Sequence, residues 1–399
     1  MSPVTPAAPR PHASGPQPRT GGQPGLPAVI AVDGGNSKTD MALVAADGSL
    51  LASARGPGMD AQRDGVRQTV RILGDLLRKV APAAGQGPED PGLPVAVHLS
   101  ACVANADLPE EEERVCAALR AQGWTLTTSV VNDTFAVLRA GLADGTGPDG
   151  HRADRHRGER HWGVAVTCGA GINCVGVAPD GRTHRFLALG SKSGDWGGGY
   201  GLGRAAVWWA IRAEDGRGPE TALRAAVPAH FGVASMHQVA VRMQHGIISE
   251  DDVAGLVPVL FGCAAQGDVV AGDLVIRQSE EICLMVMAAM RRLSLAGLAT
   301  PVVLGGGLLT ARDPLLTAGI ADRLAAVAPH AVMRIIDVPP VAGAALLGLD
   351  EVQAGPDSHA RLRTAYPADA GTGPDGGQPA PPPGQAGGVR EVAPGQALA

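Results

Sequence analysis

The sequence predicts an α/β protein built from two related domains in tandem with a cleft between them, and three observations predict it. Strand and helix patterns alternate from residue 28 onward. The opening pattern restarts in the second half of the chain. Four apolar strands each end in a turn of small residues, at 33–39, 132–133, 169–173 and 305–307.

The chain of 399 residues, 45% of them hydrophobic, is long enough for two ordinary cores. Its formal charge of -6 offers no cationic stripe, so no nucleic acid partner is expected. No membrane partner is expected either. The most apolar windows, 282–300 and 331–349, are interrupted by Arg291 and Arg292 or by Pro339 and Pro340. The N-terminus lacks the apolar region of a signal peptide. Six cysteines without CxxC pairs argue against a zinc knuckle or a disulfide framework, and a reducing cytoplasm is the expected compartment.

Residues 1–27 and 353–399 are rich in Pro, Gly and Ala without hydrophobic period and read as disordered tails. The first domain spans 28–145. "LPAVIAVDGG" and "MALVAADGSLLASARG" predict a three-strand meander with a turn at Asp47-Gly48. Val66, Val70, Leu73, Leu77 and Val80 recur at a helical period. "PVAVHLSAC" predicts a strand, and Pro109 followed by Glu110 to Glu113 starts a helix whose dipole those acids complement. "TTSVVNDTFAVLRAGLA" is a strand that ends at Asn132-Asp133 and runs straight into a helix.

A polar Arg/His loop at 146–161 leads to the second domain, 162–352, where "GVAVTCGAGINCVGVAPDG" repeats the build of the opening hairpin. Fifteen positions separate Val32 from Asp47, and fourteen separate Val166 from Asp180. Helices then run to about 299, one of them apolar on more than one face and so expected between layers. "PVVLGGGLL" is a strand and turn, Asp313 caps a helix with Pro314 at its first position, and "AVMRIIDV" and "PPVAGAALLGL" form the last strand and helix.

Glycine at a strand end lets backbone amides approach a ligand closely, which suits phosphate oxygens, and four such turns in a duplicated frame form a coherent set. Two common nucleotide motifs are absent: the chain has neither GxxxxGK[ST] nor GxGxxG.

"VDGGNSKTD" resembles the first phosphate motif, "CGAGIN" the second and "VLGGGLL" the adenosine motif of the sugar kinase and actin superfamily. With "VVNDTFAVLRAG" and "GDWGGGYGLGRAA", the chain resembles the branch holding N-acetylglucosamine kinases and the BadF/BadG/BcrA/BcrD ATPases over residues 28–350. The resemblance implies tandem actin-like, ribonuclease H-like ATPase domains, ATP and Mg²⁺ as cofactors, a small-molecule sugar substrate and a homodimer. It implies an ATP-dependent kinase that phosphorylates a hydroxyl of N-acetylglucosamine or a related amino sugar by direct in-line transfer.

The same resemblance assigns roles. Asp33 holds the metal. Gly34, Gly35, Asn36, Ser37, Lys38 and Thr39 embrace the β- and γ-phosphates, with Gly169, Ala170 and Gly171 opposite, and Gly305, Gly306 and Gly307 receive the adenosine. Asp133 is the catalytic base, and a helix N-cap at Asn132-Asp133 is compatible with that role. Asn132, Asn173, Gly194, Asp195 and Ser100 face the sugar. Ala170 and Ile172 stand where the family has hydroxyls, Trp196 and Gly198 replace a Glu and a Ser, and "ALG" at 188–190 replaces "GWG". Two other readings stay open on the same fold: an ATPase that drives a protein partner, with Cys102 and Cys168 as the candidate ligands of an iron–sulfur cluster, and a catalytically silent sugar sensor.

Overall fold

The computed structural model describes residues 26–85, 93–142 and 161–366. The expected polar loop, apart from His161, and most of both expected tails lie outside the described residues.

In the first half, strands β1 (Val29–Gly34), β2 (Lys38–Val44) and β3 (Leu50–Pro57) precede helix α1 (Val66–Val80). Strand β4 (Ala96–Val103), helix α2 (Pro109–Arg120), strand β5 (Thr125–Asn132) and helix α3 (Asp133–Gly141) follow. The second half opens with β6 (Gly163–Cys168), β7 (Ile172–Val177) and β8 (Thr183–Arg185). Helices α4 (Gly198–Glu214), α5 (Leu223–His230), α6 (Met236–Gln244), α7 (Glu250–Ala254), α8 (Val257–Ala265) and α9 (Val269–Leu293) come next. The chain continues through β9 (Pro301–Gly305), α10 (Gly307–Thr310), α11 (Pro314–Val327), β10 (Val332–Ile335), α12 (Pro340–Glu351) and α13 (Pro356–Thr364).

The expected duplication is explicit in the sheets. One has the order β3-β2-β1-β4-β5 and the other, written from its far edge, β8-β7-β6-β9-β10. In each, an antiparallel meander is extended by two parallel strands. The Asp-Gly turns close both hairpins, with Gly48 and Gly181 at the positive φ such tight turns require.

Each sheet is covered on two faces. Helices α1 and α2 pack an apolar core on the first sheet through Leu73, Leu76, Val115 and Leu119. α9, whose Val275, Ile282, Val286 and Met290 are all buried, packs on the second sheet among α4, α8 and α11. That helix is apolar around most of its circumference because it lies between layers. Among the described residues no single helix is long and apolar enough to cross a membrane.

The inner faces meet at α3 and α12. Val137, Leu138 and Ala140 of α3 pack on Ala165, Val175 and Val303 of the second sheet. α12, expected at the end of the second domain, instead lays Val341, Ala344, Ala345 and Leu349 on Val29, Ala31 and Ala42 of the first sheet. The chain therefore returns to its first domain, and the expected boundary at 352 does not follow the packing.

The stretch after 352 also departs from expectation, because α13 is ordered there. Its Leu362 is fully buried, Ser358 donates to the carbonyl of Ala46 at 2.9 Å, and Arg363 donates to the carbonyls of Ala140 (2.9 Å) and Leu142 at the end of α3. The high Pro and Gly content beyond it hid a nine-residue helix with a single apolar anchor.

Candidate active site

The two β-hairpins face each other across a cleft of about 1680 Å³. From the first hairpin, Asp33, Gly35, Asn36, Ser37 and Lys38 line it; from the second, Gly169, Ala170, Gly171 and Asn173. A Cβ placed on Gly169, Gly171 or Gly307 would meet nothing within 4 Å, so bare backbone faces open space at all three. Gly306 is different: its φ is +88° and a Cβ there would lie 2.4 Å from the Cys168 carbonyl oxygen. It lets the turn at 305–307 close down on the end of β6, next to the 169–171 loop. The start of α4 seats on the same loop, where Gly199 and Tyr200 amides donate to the carbonyls of Gly169 and Ala170 at 2.8 and 2.9 Å.

Carboxylates gather on the floor of this cleft. Asp33, at the end of β1, has its pKa raised to about 8, chiefly by burial and then by the like charges of Asp133 and Asp40. Asp133, the first residue of α3, is pushed up to about 6 by burial, partly offset by hydrogen bonding to Thr134. Asp107 is raised to about 7 by burial and by Asp133.

Lys38 and Arg55 pull the Asp33 pKa back down but do not offset burial and the neighbouring acids, an imbalance that a bound cation would relieve. No three His, Cys, Asp or Glu side chains converge as a metal cage among the described residues. Asp33 would thus hold a cation without a full cage of protein ligands, and its hard carboxylate oxygen suits Mg²⁺.

Several expected residues do not reach the cleft surface. Thr39 is fully buried, and its hydroxyl donates to the Pro57 carbonyl at 2.8 Å instead of facing phosphate. Gly34 is buried behind the hairpin, its carbonyl accepting from the Ala104 amide at 2.7 Å. Gly305 ends β9 beneath Val137 and Ile336, where a Cβ would clash, so it serves packing while Gly306 and Gly307 line the cleft. Ser100 lies 2% exposed in the middle of β4, on the face that α12 covers and outside the cleft lining. Gly194, at φ +84°, shapes the turn that delivers Asp195, whose carboxylate accepts from Ser193 at 2.6 Å.

Asn132 is an internal tie and does not line the cleft. Its Oδ1 accepts from the Thr134 amide, capping α3, and its Nδ2 donates to Asp107 at 2.9 Å. Asn173 reaches across from β7, its Nδ2 lying 3.2 Å both from Asp107 Oδ1 and from Asn132 Oδ1.

Sequence reasoning missed Asp107 and the groups that fix it. "ANADLPEEEER" was legible as a helix start, and the acids do serve that purpose in part: Glu111 accepts from the amides of Asp107 and Leu108 at 3.1 Å. Its neighbour Glu112 has another use, pairing with Arg185 of β8 at 2.8 Å. An Arg far along the chain carried no pattern that could announce it. Also lining the cleft, Arg277 of α9 stacks 4.0 Å above the Trp196 ring.

Two duplicated α/β domains, each offering a glycine turn to a shared acidic cleft, define the actin-like ATPase fold. The profile of the BadF/BadG/BcrA/BcrD ATPase family matches residues 30–348, and the chain belongs to that family. It is 25% identical over 284 residues to an N-acetylmuramic acid/N-acetylglucosamine kinase of Clostridium acetobutylicum, covering 70% of this chain and 85% of the relative. It is 22% identical to an N-acetyl-D-glucosamine kinase of Dictyostelium discoideum, covering 80% and 97%. Its fold matches a Chromobacterium violaceum structure provisionally assigned as an N-acetylglucosamine kinase, with a TM-score of 0.61 and 24% identity over 82% of this chain and all of the other.

Proposed function

We propose that this protein is an ATP-dependent kinase that transfers the γ-phosphoryl group to a hydroxyl of an amino sugar of the N-acetylglucosamine class. The observation that carries the reading is Asp133, a carboxylate on the cleft floor between two phosphate-facing glycine turns, with a pKa near 6. At neutral pH it is ionised and basic enough to take the proton of an attacking hydroxyl. Phosphoryl transfer otherwise needs positioning and charge stabilisation, which the backbone of 35–38 and 169–171 and the ammonium of Lys38 supply. Mg²⁺ held by Asp33 would neutralise phosphate charge when bound.

The sugar assignment is supported by the names of the two relatives and by Asp195, Asn173 and Asp107, which offer carboxylate and amide groups to sugar hydroxyls. A homodimeric, cytoplasmic enzyme without nucleic acid or membrane partners is the accompanying expectation, and sedimentation tests its oligomeric part.

The partner-driving ATPase reading is weakened by the cysteines it needs. Cys102 and Cys168 are both fully buried, and burial holds both thiols protonated, Cys168 up to about 12. A cluster shared between subunits needs ligands at a surface.

An ADP-release assay over N-acetylglucosamine, N-acetylmuramic acid, glucosamine, N-acetylmannosamine and glucose tests the proposal. Turnover stimulated by an N-acetylated sugar is expected. Slow hydrolysis indifferent to sugar would support the ATPase reading, and silence the sensor.

A further inference from the structure

The acceptor side of the cleft is held by one ion pair that spans the two domains. Arg185 leaves β8 in the second domain; its Nη1 and Nη2 donate to the two oxygens of Glu112 in α2, both at 2.8 Å. Nη2 also lies 3.3 Å from the carbonyl oxygens of Ala106 and Asp107, and the guanidinium sits 5.5 Å from the Phe135 ring of α3. Glu112 is only 14% exposed and Arg185 25%, so the fork is largely withdrawn from water, where bidentate charge-assisted bonds hold their geometry best.

Glu112 passes the constraint onward. The same Oε1 that meets Arg185 accepts from the backbone amide of Asn132 at 2.7 Å, one residue before Asp133. Asn132 then ties Asp107, and Asn173 of the second domain bridges both. One guanidinium therefore holds the loop carrying Asp107 and, through Glu112, the strand end carrying Asp133, from the opposite domain.

We infer that Arg185 and Glu112 are positioning residues that set Asp133 and Asp107 at the acceptor site only when the two domains stand at one fixed separation. The inference rests on the kinase reading for its main readout. Neither side chain lines the cleft, so neither is a catalytic residue. Displacement of a reacting group by about 1 Å can cost on the order of 10²-fold in rate, so the effect belongs in turnover more than in nucleotide affinity.

The test compares Arg185→Gln, Arg185→Lys, Glu112→Gln and the double variant Arg185→Gln/Glu112→Gln by sugar-dependent ADP release, nucleotide titration and urea unfolding. Each single Gln variant is expected to lose about 10- to 100-fold in kcat with nucleotide affinity within twofold. The double variant should lose no more than the worse single one, because both remove the same interaction. Arg185→Lys should recover only part of the rate, since an ammonium cannot fork. Wild-type turnover in a folded Arg185→Gln protein overturns the inference, as do additive losses in the double variant or losses of rate and nucleotide affinity in parallel. If wild type releases no ADP with any sugar, the kinase reading falls alone. The same variants are then judged on sugar-independent ATP hydrolysis, where a reduced rate with nucleotide affinity retained upholds the pair and an unchanged rate removes it.

Discussion

Arg139, buried in α3, donates to both carboxylate oxygens of Asp350 in α12, at 2.7 and 3.3 Å, across 211 residues of chain. The two helices so joined lie between the sheets, and α3 begins at Asp133. His359 of α13 and His161 also reach the Asp350 carboxylate, at 2.8 and 3.5 Å. Together these partners outweigh desolvation and hold the Asp350 carboxyl far below its usual range.

Asp350→Asn should destabilise the protein by about 3 kcal/mol in urea, because it takes the carboxylate charge away from a guanidinium that is only 2% exposed. A pKa lowered in the folded state contributes stability at pH values above the unfolded one, lost as pH falls through the folded one. The gap between wild type and Asp350→Asn should therefore be full at pH 7 and narrow below about pH 4. An equal gap at pH 3 and pH 7 would contradict the pairing.

Asp133 must be ionised to accept a proton, and its folded pKa is about 6. Sugar-dependent kcat should rise with pH through that region and level off above it. Asp133→Asn should remove the rise and lower kcat by about 10²- to 10⁴-fold, with sugar affinity, read by calorimetry, largely kept. Unchanged turnover in the variant would dismiss Asp133 as the base.

Asp33 carries a pKa raised to about 8, so at pH 7 it is largely protonated while no cation is bound. Uptake of Mg²⁺ with nucleotide should expel that proton. Calorimetry at pH 7 in two buffers of different ionisation enthalpy should show release of close to one proton, and Asp33→Asn should abolish it. Because Asp33 and Asp133 interact, the titration belongs to the pair and its midpoint will shift in either variant.

Gly306→Ala and Gly307→Ala should differ in stability. The first places a Cβ 2.4 Å from the Cys168 carbonyl at a φ of +88°, and should cost about 1–3 kcal/mol of stability along with nucleotide affinity. The second adds a methyl group where nothing lies within 4 Å, so thermal stability should hold while nucleotide affinity falls. Equal melting temperatures for the two variants would refute the packing argument at 306.

Ending the chain after Gln353 removes α13. Burial of Leu362 alone stabilises by about 2 kcal/mol, and Arg363 satisfies carbonyls at the end of α3. The truncated protein should melt several degrees lower with its nucleotide turns intact, and a melting temperature equal to the full chain would show α13 to be dispensable.

The strands, the turns and the duplicated frame were legible because each is written locally: β-branched runs, Asp-Gly pairs and glycines at strand ends. The cleft positions of Asp33 and Asp133 were legible for the same reason, each standing beside the end of a strand. Thr39 and Ser100 misled because a hydroxyl in a promising motif gives no sign of which face of the strand it takes. Arg185, Glu112 and Asp107 were out of reach, since their meaning lies in a contact between residues more than seventy positions apart. α12 misled differently: its apolar pattern announced a buried helix without saying which sheet would bury it.

The return of α12 to the first sheet means that the chain passes between domains twice, once after α3 and once between β10 and α12. The second of these crossings, Ile336 to Pro340, forms part of the cleft wall, and its consecutive prolines narrow the freedom of its backbone. A molecule that fills the cleft therefore rests against the chain at the point where it passes from one domain to the other.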